Sequence, residues 1–229
     1  MSIFSELKPP EVIYQGSSKY NPNIKIVKVG KTLRLTVDGY IQSVNYDSPV
    51  CSKLFTGKTV DLVKREIPDA NNFLALGLGG GTMQKLISMK FKDPEIVSVD
   101  IDEHMVEIAK KYFDLDSISN HRIIVDDALR VVVEPDENDL EKAEFDVAIV
   151  DIFVGNSSPD LVKTGNFIAH LKRLVEPDGL IVFNRNYTIE FQDGANNFAK
   201  YLEEHLKDVK TEVVAGYSNS DNLLIYGRV

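Results

Sequence analysis

The length, composition and charge of the chain exclude several classes of protein. At 229 residues the sequence is long enough for one α/β domain of ordinary size and a small additional domain, and its net charge of −9, from 26 basic and 35 acidic residues, argues against non-specific binding to nucleic acid or to anionic membrane surfaces. The single cysteine, Cys51, excludes an intrachain disulfide, and no apolar stretch approaches the length of a membrane span, so we expect a cytoplasmic protein.

The first 48 residues predict a small antiparallel β-domain. Segments 24–29 and 33–37 are rich in β-branched and apolar residues and are separated by Gly30 and Lys31. The pair Asp38-Gly39 then separates the second segment from Tyr40 and Ile41. Short apolar segments joined by glycine-containing turns are typical of β-hairpins.

A helix with an interruption at Gly57 is predicted for residues 49–67, and residues 68–72 form a turn into the next strand. The change of character near residues 47–49 divides the chain into an N-terminal β-hairpin domain, residues 1–48, and a Rossmann-like nucleoside-binding catalytic domain, residues 49–229.

A glycine-rich turn follows the first apolar strand of the second domain. Residues 73–76 predict a strand buried on both faces, and Gly77, Gly79 and Gly81 allow a sharp turn and close approach of a ligand to the backbone. A helix begins near Thr82, and the next strand ends at Asp100, where a ribose-binding carboxylate belongs in nucleotide-binding α/β folds. This stretch therefore predicts a nucleotide site.

The spacing of the glycines separates two kinds of nucleotide. In the dinucleotide fingerprint G-x-G-x-x-G, the third glycine falls where this chain has Thr82, whereas Gly81 supplies G-x-G-x-G. This spacing favours an adenosyl-sulfonium ligand over NAD.

Strands and helices alternate through the rest of the chain. Apolar residues at helical spacing predict a helix at 104–113, followed by a strand at 122–125 and an exposed loop at 134–146. Further elements are predicted as follows: strands 145–150 and 180–183, helices 161–174 and 191–206, and a closing antiparallel pair at 209–215 and 222–226. The alternation predicts an α/β fold with a mostly parallel sheet covered on both faces.

Polar residues follow the predicted parallel strands at the same kind of position. They are the glycines of 77–81, Asp100, the pair Asp126-Asp127, and Asp151. Ligands in open α/β sheets bind beyond the carboxyl ends of the strands, so these residues should line one crevice. Two alternatives stay open, because Asp127 could simply cap the following helix and Asp151 could be a structural acid.

With these motifs in this order, the chain resembles members of the spermidine synthase family, in particular its divergent members. Segment 38–42, D-G-Y-I-Q, is similar to the family's N-terminal hairpin, and segment 98–113 resembles its ribose-binding strand and the helix after it. Segment 151–155, D-I-F-V-G, resembles the family's sequence after the fourth strand. The resemblance continues with Pro159, Thr164, Phe167, Pro177, Gly179 and Asn184.

The resemblance implies a class I methyltransferase-type sheet with a small N-terminal β-domain, and a homodimer. It implies S-adenosylmethionine, decarboxylated S-adenosylmethionine or methylthioadenosine as ligand. The roles that it implies are Asp100 for ribose, Asp127 for adenine, the glycines for the sulfonium tail, Gln42 near the ligand and Asp151 at the reaction centre. Ile101, Asp126 and Ala128 adjoin these residues and complete the predicted cofactor site.

Departures from the family pattern bear on the reaction. The family's G-G-G-D-G turn carries an aspartate for the ammonium tail of the decarboxylated donor, and no acid stands in 77–81 here. The second aspartate after the fourth strand is replaced by Val154, and the family's D-E-x-x-Y-x-E segment reads Asp47, Ser48, Cys51 and Lys53. Each lost carboxylate removes a charge-assisted hydrogen bond of about 1.5–3 kcal/mol from a polyamine site.

We therefore predict an S-adenosylmethionine-dependent methyltransferase acting on a small acceptor other than a polyamine. Asp151 is the candidate general base, and Tyr40, Asp47 and Tyr187 are candidate acceptor-binding residues, with Asn184 as a further candidate. Two alternatives remain, an aminopropyltransferase that uses the decarboxylated donor and a non-catalytic nucleoside-binding relative. The four histidines show no ligand spacing, so no metal site is predicted.

Overall fold

A computed structural model of the chain describes residues 9–153, 166–216 and 221–229, which form two β-sheets and the helices around them. Val154, Gly155, Pro159 and Thr164, which contribute to the resemblance or to the departures above, lie outside the described residues.

The N-terminal residues form a four-stranded antiparallel sheet in chain order, which confirms the predicted hairpins. Its strands are β1 (Glu11–Gly16), β2 (Ile24–Val29), β3 (Thr32–Val37) and β4 (Tyr40–Val44). Strand β1 was not predicted, because it is an edge strand with mostly exposed or half-buried side chains and so lacks a clear apolar alternation.

The helix that follows the small sheet is continuous, so the predicted interruption at Gly57 is wrong. A 3₁₀ turn at Cys51–Lys53 leads into α1 (Phe55–Glu66), and Gly57 lies in the first turn of that helix. A Cβ on Gly57 would lie 2.5 Å from the carbonyl oxygen of Cys51. The glycine therefore allows the helix to pack against the preceding turn.

The remaining residues form a seven-stranded sheet flanked by helices, as predicted. Its strands are β5 (Asn72–Leu76), β6 (Glu95–Asp100), β7 (His121–Val125), β8 (Phe145–Val150), β9 (Val175–Asn186), β10 (Lys207–Val214) and β11 (Asn222–Arg228). The helices are α2 (Thr82–Lys90), α3 (Glu103–Phe113), α4 (Ala128–Val133), α5 (Phe167–Leu174) and α6 (Gln192–Glu203).

The strand order, β10-β11-β9-β8-β5-β6-β7, gives a mostly parallel sheet in which β11 runs antiparallel to both of its neighbours. This is the predicted Rossmann-like, class I methyltransferase type of sheet with a C-terminal antiparallel pair. Strand β9 is much longer than the predicted 180–183, because it pairs with β8 from Val175 and with β11 as far as Asn186. The division into domains at residue 48 stays a prediction.

Apolar residues on both faces of the large sheet form two core layers. Leu74 and Leu76 pack with residues of α4, α5 and α6, whereas Phe73 packs with residues of α1, α2 and α3. The predicted exposed loop at 134–146 is partly ordered, with a 3₁₀ turn at Pro135–Asn138 and Leu140 buried in the first of these layers. In the described part of the chain, every helix is too short or too polar to cross a membrane.

The small sheet packs on α3, the helix that follows the predicted ribose acid. Ile24, Ile26 and Leu35 form a third apolar cluster with Met105 and Ile108 of α3. Close to it, the buried carboxylate of Asp102 caps the N-terminus of α3 and also binds the N-terminal segment. It accepts hydrogen bonds from the His104 N–H at 3.1 Å, from the Asn21 Nδ2 at 2.6 Å and from the Ser18 hydroxyl.

We expect Asp102→Ala to lower the free energy of unfolding by about 2–4 kcal/mol, because it removes a helix cap and leaves the half-buried Asn21 and Ser18 groups without their acceptor. Urea unfolding followed by circular dichroism measures the change. As a control, the exposed Asp116 lies 3.8 Å from Lys110, and Asp116→Ala should change stability by less than about 0.5 kcal/mol. Equal effects of the two substitutions would contradict this role of Asp102.

Candidate active site

A cavity of about 320 Å³ lies between the small sheet and the carboxyl ends of the parallel strands. Most of the predicted site residues line it together: Tyr40, Gln42, Gly77, Gly79, Asp100, Ile101, Asp127, Ala128 and Asp151. The carboxyl ends of β5, β6 and β8 place their residues at one edge because these strands are parallel neighbours. Strand β4 supplies the opposite wall, which includes Ser43.

The glycine loop, residues 77–81, has a further physical reason for its glycines besides the predicted sharp turn. Gly77, Gly79 and Gly81 have φ values of +99°, +54° and +71°, which disfavour side chains. A Cβ on Gly77 would lie 2.2 Å from the backbone oxygen of Asp151, and one on Gly81 would lie 2.4 Å from Leu115. The glycines are therefore required by close packing of the protein itself, in addition to any ligand.

Backbone N–H groups of the glycine loop are bonded to protein acceptors. The Leu78 N–H donates to Asp100 Oδ2 at 2.9 Å, and the Gly80 N–H donates to the Ser43 hydroxyl at 2.9 Å. The Gly81 N–H donates to the Leu78 carbonyl, also at 2.9 Å. The loop is thus held rigidly, and these three N–H groups are already used by the protein.

Asp100 lies at the end of β6 and is held by the backbone on both sides. It accepts hydrogen bonds from the N–H groups of Leu78 and Asp102, each at 2.9 Å. Burial raises the pKa of the Asp100 carboxyl, and the hydrogen bonds from Asp102 and Leu78 oppose this rise. Asp100 is thus a fixed acid beside the glycine loop, and this is the position that the predicted ribose-binding role requires.

The wall beyond Asp100 combines an apolar surface with a second acid. Ile101 is 40% exposed, and it lines the cavity together with Ala128, Leu129 and Asp127. Asp127 caps α4 by accepting a hydrogen bond from the Leu129 N–H at 2.9 Å. Asp127 therefore caps a helix, as one of the two alternatives for it predicted, and it also lies on the wall of the cavity.

Asp151 follows β8 and is bonded to an amide from the neighbouring strand. Asn184 Nδ2 donates to Asp151 Oδ1 at 2.8 Å, and Asn222 Nδ2 donates to Asn184 Oδ1 at 3.0 Å. Burial raises the pKa of Asp151 to about 6, the hydrogen bond from Asn184 opposes this rise, and the negative charge of Asp100 adds to it. A carboxyl with a pKa close to neutral can accept and release a proton under ordinary conditions.

Four predicted site residues lie away from the wall of this cavity. Asp47 is exposed and accepts a hydrogen bond from Asn45 in the turn after β4, and the Tyr187 hydroxyl donates to Asn196. Gly81 is covered by Leu115. Asp126 pairs with Arg130 at 3.5 Å and lines a separate, adjoining groove. These four therefore do not line the cavity with the other predicted residues, although Asp126 lies beside Ile101 and Asp127 in the adjoining groove.

Sequence reasoning missed several polar residues of the cavity, among them Ser43 and Asn222. Ser43 directly follows Gln42, and its neighbour in the hairpin could have indicated it. Asn222 is the polar first residue of an otherwise apolar strand, and only the register of β11 against β9 places it beside Asn184. Around the cavity, the described residues contain no group of three or more His, Cys, Asp or Glu side chains arranged to hold a metal ion.

We expect Asp151→Asn to stabilise the protein at about pH 8 but not at about pH 4. Burial favours the neutral carboxyl in the folded state. Its contribution to stability is therefore complete below 3.8, the ordinary pKa of an aspartate, and is lost as the pH rises through the folded-state pKa of about 6. Above that pH, the variant should gain up to about 3 kcal/mol. Urea unfolding at both pH values measures the gain, with Asp116→Asn as an exposed control, and a gain of the same size at both pH values would contradict the assignment.

Comparison with known proteins agrees with the fold. A relative in Drosophila melanogaster, the eEF1A lysine and N-terminal methyltransferase homolog, is 30% identical over 167 residues, which are 70% of this chain and 24% of the fly protein. Polyamine aminopropyltransferase 1 of Aquifex aeolicus is 24% identical over 216 residues, which are 91% of this chain and 73% of that protein. The chain thus spans about a quarter of the length of the fly relative.

The solved structure of spermidine synthase from Thermotoga maritima has the same fold, with a TM-score of 0.72 and 16% identity. The alignment covers 95% of this chain and 72% of the Thermotoga chain. The model of the spermine/spermidine synthase domain matches residues 54–226. The predicted family resemblance is confirmed, and the chain belongs to the spermine/spermidine synthase domain family.

Proposed function

We propose that this member of the family is a methyltransferase that uses S-adenosylmethionine and acts on an acceptor other than a standard polyamine. Its relatives include methyltransferases and aminopropyltransferases, and both are transferases. The two reactions use donors that differ in one group, since S-adenosylmethionine carries a carboxylate that the decarboxylated donor lacks. The part of the site that would contact that end of the donor therefore distinguishes the two reactions.

The contact between Ser43 and Gly80 is the observation that carries the proposal. Gly80 occupies the fourth position of the glycine loop, where the G-G-G-D-G pattern has its aspartate. A Cβ on Gly80 would lie 2.8 Å from Ser43 Cβ and 3.3 Å from the ring of Phe113. Besides lacking the acid, the loop is thus packed so closely that an acid could not be accommodated without displacing β4.

The acids of the cavity fit a cationic sulfonium ligand, and the N-terminus of α1 fits a carboxylate on that ligand. Asp100, Asp127 and Asp151 line the cavity, and among the described residues no Lys, Arg or His side chain does. These acids favour a cationic sulfonium. Helix α1 presents its N-terminal residues Leu54, Phe55 and Thr56 to the same cavity, with no side-chain cap and no acid in its first turn, so the positive end of its dipole favours a carboxylate.

The acceptor side of the site also supports a substrate other than a polyamine. Asp47, Ser48, Cys51 and Lys53, which stand in place of the family's acid-rich segment, do not line the cavity. The fly relative is named for methylation of lysine and N-terminal amines, which makes amines on proteins candidate acceptors beside the small molecule predicted from the sequence. A cytoplasmic location and a homodimer are kept as parts of the proposal.

The chain's own residues have distinct tasks in such a reaction. S-adenosylmethionine supplies a methyl group activated by the positive sulfur, so the protein needs mainly to orient the acceptor and to remove its proton. Asp151 faces the cavity and is the group suited to accept that proton. Asp100 and the apolar surface of Ile101 would hold the nucleoside, and Tyr40, which is 50% exposed at the cavity, would contact the acceptor.

Aminopropyl transfer is the second candidate. It is favoured by the match to the Aquifex aminopropyltransferase over 91% of this chain, and the family resemblance implies a place for Asp151 at its reaction centre. A non-catalytic nucleoside-binding protein is the third candidate, and it would bind the nucleoside without turning it over.

We expect the purified protein to transfer a methyl group, and no aminopropyl group, to an acceptor. The protein is incubated with each of the two donors and with three acceptor sets, namely diamines and polyamines, other small amines, and peptides with free N-terminal and lysine amines. Mass spectrometry identifies the product. Asp151→Asn should retain nucleoside binding and lose at least about 100-fold in turnover.

The exposed Asp116→Asn variant, which should keep wild-type turnover, is the matched control for this assay. An aminopropylated polyamine as the main product would establish the second candidate. Nucleoside binding without any product from either donor would support the third.

A further inference from the structure

Three polar side chains connect neighbouring strands at the wall of the cavity. Asn222 Nδ2 donates to Asn184 Oδ1 at 3.0 Å, and Asn184 Nδ2 donates to Asp151 Oδ1 at 2.8 Å. Val150 pairs with Phe183 in the parallel strands β8 and β9, so Asp151 and Asn184 follow at the same level. Asn222 of β11 pairs with Asn186 of β9, which places Asn222 diagonally across from Asn184 on the same face.

Both amides are buried, with 3% of Asn184 and 9% of Asn222 exposed. An unmade hydrogen bond is therefore costly at either residue, because little water is available to replace the missing partner. The two amides and the carboxylate consequently act as one connected unit, in which the orientation of each group limits that of the next.

The carboxylate fixes the direction of the whole chain of hydrogen bonds. An ionised carboxylate only accepts hydrogen bonds, so Asn184 has to present its NH₂ group to Asp151. Its carbonyl oxygen then points towards β11 and requires a donor, which Asn222 provides. If Asn184 turned over, its oxygen would face the carboxylate oxygen and its NH₂ group would face the NH₂ group of Asn222.

We propose that Asn222 is a positioning residue that locks the amide of Asn184 in the orientation that keeps Asp151 ionised and directed into the cavity. Asn222 thereby sets the lower pH limit of the reaction without itself removing a proton. The inference rests on the proposed function for its effect on turnover, whereas its effect on the ionisation of Asp151 does not depend on which group is transferred.

The surroundings of Asp151 make this hydrogen bond important. The other titratable groups that line the cavity are Asp100 after β6, Asp127 before α4, and the hydroxyls of Tyr20 and Tyr40. Negative charge on Asp100 and burial both disfavour the ionised form of Asp151, and no basic side chain of the described residues lines the cavity to oppose them. The amide of Asn184 is the group that opposes them.

The protonation state of Asp151 matters for an amine acceptor. Such an acceptor enters mainly as an ammonium ion, whose proton passes to the ionised carboxylate. The lone pair of the neutral nitrogen then forms the new bond to the methyl carbon, while the carbon–sulfur bond breaks and its electron pair stays on sulfur. The proton leaves Asp151 to water. A protonated Asp151 could not begin this sequence.

The test is a pH titration of Asp151 in the protein without ligand, followed by carboxyl-carbon NMR and assigned by the loss of its signal in Asp151→Asn. Asn222→Leu removes the donor to Asn184 at similar volume and without adding charge. Its titration midpoint should rise by about one pH unit or more, since a lost hydrogen bond next to a charged group is of that size. Asn197→Ala, at an exposed position on α6, should leave the midpoint unchanged.

Asn222→Ala removes the same donor without placing a larger apolar group in the site, and it serves if the leucine variant does not fold. If the enzyme is active, the rising limb of its pH–rate profile should move to higher pH by the same amount as the NMR midpoint. Turnover of the variant should therefore fall by about fivefold or more near the wild-type midpoint and recover at high pH.

An unchanged midpoint of Asp151 in a folded Asn222 variant would overturn the proposal. A wild-type protein without methyltransferase activity would refute the proposed function alone, because the titration of Asp151 would still decide the role of Asn222.

Discussion

The structure of the site depends on the close approach of the small sheet to the glycine loop. The Gly80 N–H donates to the Ser43 hydroxyl at 2.9 Å, and the Thr82 hydroxyl donates to the Val44 carbonyl at 2.5 Å. These bonds hold β4 against the start of α2, and they close the cavity from the side opposite the parallel strands. A side chain on residue 80 would separate the two surfaces, so the contact determines both the shape of the cavity and the charge that the loop can carry.

Around this contact, backbone N–H groups donate hydrogen bonds to side chains of the protein itself, and three carboxylates line the cavity where a ligand would bind. The carboxylate of Asp100 is held by N–H groups of the loop, and Asp127 is held by the start of α4. Asp151 is held by the Asn184 amide and not by a basic residue. Each acid is therefore fixed in position by a neutral donor, which is an arrangement that favours a cationic ligand.

Much of the fold and part of the site could be predicted from the sequence. The alternation of apolar strands and amphipathic helices was sufficient to predict the mostly parallel sheet. The position of Asp100 and Asp151 at the ends of strands was sufficient to predict that both line one cavity, because parallel strands bring their carboxyl ends together. Asp47 was misplaced because the local turn at Asn45 decides its direction. Asn222 was missed because its contact with Asn184 depends on the register of two strands that are far apart in sequence.

The discrimination between the two donors tests the central claim most directly. Isothermal titration calorimetry on the wild-type protein should show S-adenosylmethionine binding at least about tenfold more tightly than its decarboxylated form. The double variant Ser43→Gly/Gly80→Asp makes room for an acid in the loop. It should reverse or abolish this preference, because the new aspartate gives the decarboxylated donor a charge-assisted hydrogen bond of about 1.5–3 kcal/mol. Ser43→Gly alone is the control and should keep the preference. Tighter binding of the decarboxylated donor to the wild-type protein would contradict the claim.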